Sequence, residues 1–324
     1  MKFSAATLST KGTRTTRVVT FARNYAILIL LFGLALVLSI ASPAFLTYDN
    51  ILNIVNQNAP LGIIAIAGTF VIISGAFDLS TAAIFAVVSC STAWIAMSTG
   101  SSTLALLSAP IIGAALGTFN GLAVTVLRVH SFLATLATSL VYGAIAVLIT
   151  GGSLITVTTA GFSTLGRGRW FGIFIPVYAF ALFFAIMSFI LTRTTFGRRV
   201  FAVGGNPEAA QLSGIRVSRT RVAIFAFSGL ACGIAGAIGV SLVSSGQPQA
   251  GAGLQLSAIA AIILGGTSIY GGIGAVWRSV SGVFLIALIG NGFDLLNFNP
   301  QIENLVEGVI ILAAVGLSAV GKRR

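Results

Sequence analysis

The chain has 324 residues, of which 56% are hydrophobic and only 7% charged, and it carries a net charge of +12. Soluble domains have about 25% charged residues, so this chain cannot cover a water-facing surface. Its mean hydropathy of +1.04 agrees. A water-soluble globular protein is excluded. The 38 glycines suit a bundle of membrane helices, in which small residues let backbones approach closely.

Residues 1–24 are polar and basic, with Lys2, Lys11, Arg14, Arg17 and Arg23. The apolar run that follows is longer than a signal-peptide core and has no small-x-small cleavage site, so it reads as a retained first span. About ten spans of bilayer-crossing length can be drawn, at 25–45, 60–77, 81–98, 104–127, 132–150, 174–191, 222–243, 254–270, 277–293 and 303–320. This predicts an all-α polytopic membrane protein. Between the first two spans, 50–58 reads as a short interfacial helix ended by Pro60. The eighth span meets Gly265-Gly266 and is the candidate for a broken helix. A full crossing is preferred, because otherwise Arg278 falls on the wrong side.

With the N-terminus inside, all of the 18 basic residues except Arg167 and Arg169 fall on the cytoplasmic side, as the positive-inside rule requires. The net charge is therefore a topology signal with some attraction to anionic membrane lipid, and nucleic acid is not expected as a partner. The transmembrane domain is placed at 25–321, with a cytoplasmic loop at 192–221 and a basic tail at 322–324. Cys90 and Cys232 lie in apolar runs and read as buried small hydrophobes. Gly113, Gly117 and Gly121, like Gly229 and Gly233, recur every four residues and predict close helix contacts.

The loop at 192–221 is the most informative segment. Asn206 can cap a helix that starts at Pro207 with Glu208 in its first turn, and Gly214 can end it. Such an element, flanked by arginines, suits a docking role; the alternative is a solvated connector. Four segments in order resemble the ribose/xylose-type permease subunits of bacterial ABC sugar importers, in the branched-chain amino acid/sugar permease superfamily. They are this loop, FVIISGAFDLSTAAI at 70–84, FNGLAVTVLRVHSFLATL at 119–136 and AAIILGGTSIYGGIGAVW at 260–277. Thr81-Ala82 stand where that family has Val-Gly, and His130-Ser131 stand where it has prolines.

The resemblance implies two five-helix halves and a bacterial inner-membrane location. It also implies partnership with a second permease copy or paralogue, with cytoplasmic ATPase subunits and with an extracytoplasmic sugar-binding protein. It carries an ATPase-coupling role onto Gly205, Asn206, Pro207, Glu208, Ala209, Ala210 and Gly214. Transport of a monosaccharide follows; a nucleoside or a signalling furanose is the alternative substrate.

Polar groups within apolar runs are the candidates for a substrate pathway: Asp78, Asn120, Thr135, Thr138 and Glu307. Each has a plainer reading. Asp78 stands where span 3 needs a cap, Asn120, Thr135 and Thr138 can bond between helices, and Glu307 suits a helix N-terminus. An ion-coupled secondary transporter would need more intramembrane charge than this. No cofactor, metal set or catalytic cluster is recognisable. GLSAVGK at 316–322 matches a phosphate-loop string, but Arg323 replaces the needed hydroxyl and no helix follows, so no ATPase activity is expected of the chain.

Overall fold

The computed structural model describes residues 14–299, 301–302, 305–306, 308–310 and 312, with side chains at Tyr25 and from Ile27 onward. Most of the expected span at 303–320 lies outside them, with Glu307, the GLSAVGK string and the basic tail.

Twelve helices occur among the described residues. They are α1 (Arg14–Ala41), α2 (Tyr48–Ile73), α3 (Thr81–Thr99), α4 (Ser102–Val126), α5 (Ser131–Thr150) and α6 (Thr164–Arg167), followed by α7 (Ile175–Arg193), α8 (Thr195–Gly205), α9 (Pro207–Leu212), α10 (Val217–Val243), α11 (Leu254–Leu264) and α12 (Val276–Leu295). Four two-residue strands decorate the loops. β1 (Ile155–Thr156) pairs antiparallel with β4 (Ser245–Gly246), and β2 (Arg169–Trp170) pairs with β3 (Ile173–Phe174). The protein is all-α. Among the described residues, seven helices, α2, α3, α4, α5, α7, α10 and α12, are long and apolar enough to cross a membrane, and shorter apolar helices lie at Ile27–Ala41 and Leu254–Leu264.

Helix α2 is the centre of the bundle. From Ala59 to Ile73 it is buried almost without a break, against α7, α10, α11 and α12. An all-round apolar sequence is what such a position requires. The expected stop at Pro60 does not occur: Pro60 lies inside α2, and the segment 50–58 is its first part rather than a separate helix. Proline removes one backbone hydrogen bond, to the carbonyl of Asn56 here. Surrounding helices hold both residues in place, since Pro60 and Asn56 are both buried, and a membrane-type bundle tolerates such an interruption.

The eighth segment breaks at the Gly265-Gly266 pair that marked it as the candidate broken helix. It is not helical over 254–270; α11 has 11 residues and stops at Gly265. At 1.5 Å per residue it spans roughly half of a bilayer core. Gly266 has φ +83, which turns the chain out of the helix. The following loop continues to the far end of α2, where the amide of Gly272 donates to the carbonyl of Ile73 at 2.8 Å. The segment therefore runs from one end of the bundle to the other as a short helix plus loop.

Helices α4 and α10 meet backbone to backbone. A Cβ on Gly117 would lie 2.7 Å from the Gly229 Cα, one on Gly233 would lie 2.6 Å from the Pro110 Cα, and one on Gly113 would collide with the Gly229 carbonyl. The glycine spacing in the sequence thus marks an antiparallel seam in which backbone meets backbone.

Candidate functional site

Two arrangements carry the sequence-predicted residues. The first is the connection between α7 and α10. Thr194 caps α8, its Oγ1 accepting from the Gly197 amide at 3.3 Å. The sequence reading missed this helix. Gly197, Val200 and Val203 are buried on one face of it, and that spacing of three and three was the available signal. Helix α9 forms as expected. The Oδ1 of Asn206 accepts from the amides of Glu208 and Ala209, each at 3.0 Å, and Pro207 opens the helix.

The end of α9 follows the glycine rule. Gly214 has φ +83, and the Ile215 amide reaches back to the Ala210 carbonyl at 3.0 Å. This six-to-one bond is the Schellman ending. Ala210 is buried beneath α9, while Glu208, Ala209, Gln211 and Leu212 face outward, Leu212 with 91% of its surface exposed. A short helix fixed at both ends thus presents an acid, two small or polar groups and one apolar knob. Arg199, Arg216 and Arg219 line a cavity of about 590 Å³ beside it.

Gly205 differs from its neighbours in the predicted set. A Cβ there would meet nothing, whereas one on Gly204 would collide with the Ile73 carbonyl and approach the Gly272 amide to 2.8 Å. The glycine that the packing demands is Gly204.

The second arrangement is a buried polar network around the loop at 74–80, between α2 and α3. Asp78 Oδ1 accepts from the amide and the hydroxyl of Ser80, at 3.0 and 2.6 Å. Its Oδ2 accepts from Ser228 of α10 at 2.7 Å. Asn120 of α4 donates to Ser80 Oγ at 2.6 Å, and Tyr142 of α5 donates to Asn120 Oδ1 at 2.9 Å. The loop backbone is held too: the amides of Phe77 and Leu79 donate to Ser131 and Thr135 of α5, each at 3.0 Å. Buried polar groups need such partners, and four elements share them here: the loop, α4, α5 and α10.

Of the expected pathway residues, Asp78, Asn120 and Thr135 come together in this network. Thr138 bonds only its own helix, at the Thr135 carbonyl, and Glu307 lies outside the described residues. Asp78 supports the residue before α3 rather than the α3 amides themselves. The cavity it lines, between α2 and α11, is about 20 Å³, room for about one water. Sequence reasoning did not find Ser228 or Tyr142; serine and tyrosine in apolar runs leave no pattern, and only the fold brings them to Asp78.

The described residues form a bundle of long apolar helices with a capped, outward-facing helix between two of them. Comparisons with known proteins say what it is similar to. The family described as branched-chain amino acid transport system / permease component matches residues 50–315. The chain is 43% identical over 287 residues to the ribose import permease protein RbsC of Bacillus subtilis (strain 168), covering 88% of this chain and 89% of that protein. It is 37% identical over 301 residues to the corresponding ribose permease of Haemophilus influenzae, covering 90% and 91%. It is 34% identical over 292 residues to the L-arabinose transport system permease protein AraH of Escherichia coli (strain K12), covering 90% and 89%. No solved structure matches at a significant level. The chain belongs to the branched-chain amino acid transport system permease family, and it is a multi-pass membrane protein.

Proposed function

We propose that this chain is the membrane-spanning subunit of an ABC importer that carries a monosaccharide across the bacterial inner membrane. The observation that carries this reading is the match, along nearly the whole chain, to ribose and arabinose import permeases. In this reading the spans form two five-helix halves, the termini and 192–221 face the cytoplasm, and a second permease copy or paralogue completes the pathway. ATPase subunits supply the energy, a secreted binding protein supplies the sugar, and the chain itself hydrolyses no ATP.

In the proposed coupling step, α9 seats in a groove of the ATPase. Asn206, Pro207 and Gly214 fix its ends, Glu208 accepts charge-assisted hydrogen bonds, Ala209 allows close approach, and Ala210 anchors the helix to the bundle. Movement of the ATPase then pushes α9 and α8. Through Gly204 the push reaches the ends of α2 and α11, next to the Asp78 loop. Asp78, Asn120 and Thr135 hold that loop in one shape. The test is reconstitution in liposomes with a cognate ATPase and binding protein, followed by uptake of labelled ribose and arabinose. ATP-dependent uptake of either supports the reading; uptake that proceeds on an ion gradient without ATP would replace it with the secondary-transporter alternative.

A further inference from the structure

At the end of the bundle opposite α9, the first turns of α2 and α11 and the last turns of α12 surround a cavity of about 490 Å³. This is within the ~300–1,000 Å³ range of small-molecule sites. Asn53, Gln57 and Asn58 of α2, Ser257 of α11 and Asp294 of α12 supply polar lining. Asn50 and Asn291 fix the wall: each amide donates to the other's carbonyl oxygen, at 3.1 and 2.8 Å, and Asn50 also donates to the Phe45 carbonyl at 2.9 Å. This reciprocal lock joins α2 to α12.

Of the polar lining, Asn58 donates to the Ile54 carbonyl at 2.9 Å and Ser257 to the Gly253 carbonyl at 3.3 Å. Among the described residues, the side chains of Asn53, Gln57 and Asp294 make no hydrogen bond or ion pair, and all three line the cavity. Asn50, Asn53 and Gln57 follow one another at three and four residues, so they share one face of α2. Polar side chains in a membrane helix turn toward a protein interior or a water-filled cavity, and this face does so. Each amide both donates and accepts, and the carboxylate accepts only. The lining contains no cationic side chain. Donors paired with acceptors, one acid and no cation suit a neutral, hydroxyl-rich solute and disfavour an anion. Ile54, Leu61 and Ile286 add apolar wall, against which the C–H face of a sugar ring can rest.

We infer that this cavity is where a neutral monosaccharide first contacts the permease, with Asn53, Gln57 and Asp294 as its hydrogen-bonding groups. The inference rests on the importer reading above. It is tested in the reconstituted importer, with ATPase and binding protein present, using labelled ribose and arabinose. Asn53→Leu and Gln57→Leu keep similar bulk and remove the polar atoms; Asn53→Ala and Gln57→Ala do so with less bulk if the leucine variants fail to assemble. At matched permease levels, uptake should fall at least tenfold. A Gln57→Cys variant should also react with an impermeant thiol reagent added from the binding-protein side, and millimolar transported sugar should slow that reaction. Wild-type uptake in the variants, or a labelling rate untouched by sugar, would overturn the site while leaving the importer reading intact. Absence of any ATP-dependent sugar uptake by the wild-type assembly would overturn both.

Discussion

Gly204, in the last turn of α8, lies directly against Ile73 at the end of α2; a methyl group on Gly204 would collide with the Ile73 carbonyl, the same carbonyl that accepts the Gly272 amide. One oxygen thus joins the segment before α9 to the ends of both α2 and the α11 loop. Gly204→Ala should force these backbones apart and destabilise the protein by about 1–3 kcal/mol, in the range of overpacking. Gly205→Ala, with open space around it, should be neutral or gain up to about 1 kcal/mol. Thermal unfolding of the two detergent-purified variants makes the comparison; equal melting temperatures would remove Gly204 from the joint.

Changes at the ends of α9 should separate folding from coupling. Asn206→Ala loses both cap bonds, at a cost of about 1 kcal/mol. Gly214→Val places a β-branched residue at φ +83, which costs roughly 1–2 kcal/mol. Neither touches the membrane bundle, so insertion should be normal while association with the ATPase weakens. Glu208→Arg should weaken it by charge reversal alone. Co-purification of the ATPase at matched permease levels is the readout. Wild-type association in all three would make 192–221 a simple connector.

The Asp78 network should behave as one unit. Asp78→Ala leaves Ser80 and Ser228 without their acceptor inside the bundle, and each unsatisfied group costs about 1–3 kcal/mol. Asn120→Ala and Tyr142→Phe should be non-additive, with a coupling of about 0.5–3 kcal/mol, because their side chains meet at 2.9 Å. A double-mutant cycle in chemical denaturation measures this; additive effects would show that the contact is not energetically shared.

Orientation is open to chemical labelling. Thr164 and Ser218 are both exposed, and the native Cys90 and Cys232 are buried. With the termini and α9 in the cytoplasm, an impermeant thiol reagent added to intact cells should modify Thr164→Cys and not Ser218→Cys. Modification at Ser218→Cys in sealed cells would invert the topology.

The membrane class was legible from composition alone, because charge scarcity leaves no other solvent for this surface. The α4–α10 glycines and the α9 cap were legible because both follow from local spacing. What stayed hidden depended on neighbours. Pro60 breaks a helix by local rules, yet burial on all sides carries α2 through it. Helix α8 was hidden by its arginines, although Val200 and Val203 kept the spacing. The network partners Ser228 and Tyr142 lie 150 and 64 positions from Asp78 and no local pattern links them; the loop at 74–80 meets them only once α4, α5 and α10 have closed around it.

The backbone-to-backbone seam between α4 and α10 has a consequence for behaviour in the cold. Glycines have no rotamers to freeze, and lipid tails are as apolar as the seam they compete with. What holds these helices together is dispersion between closely apposed backbones, not the release of water. Attraction driven by water release weakens as temperature falls; this attraction does not. The α4–α10 joint therefore keeps its strength under chilling that loosens water-driven interfaces elsewhere.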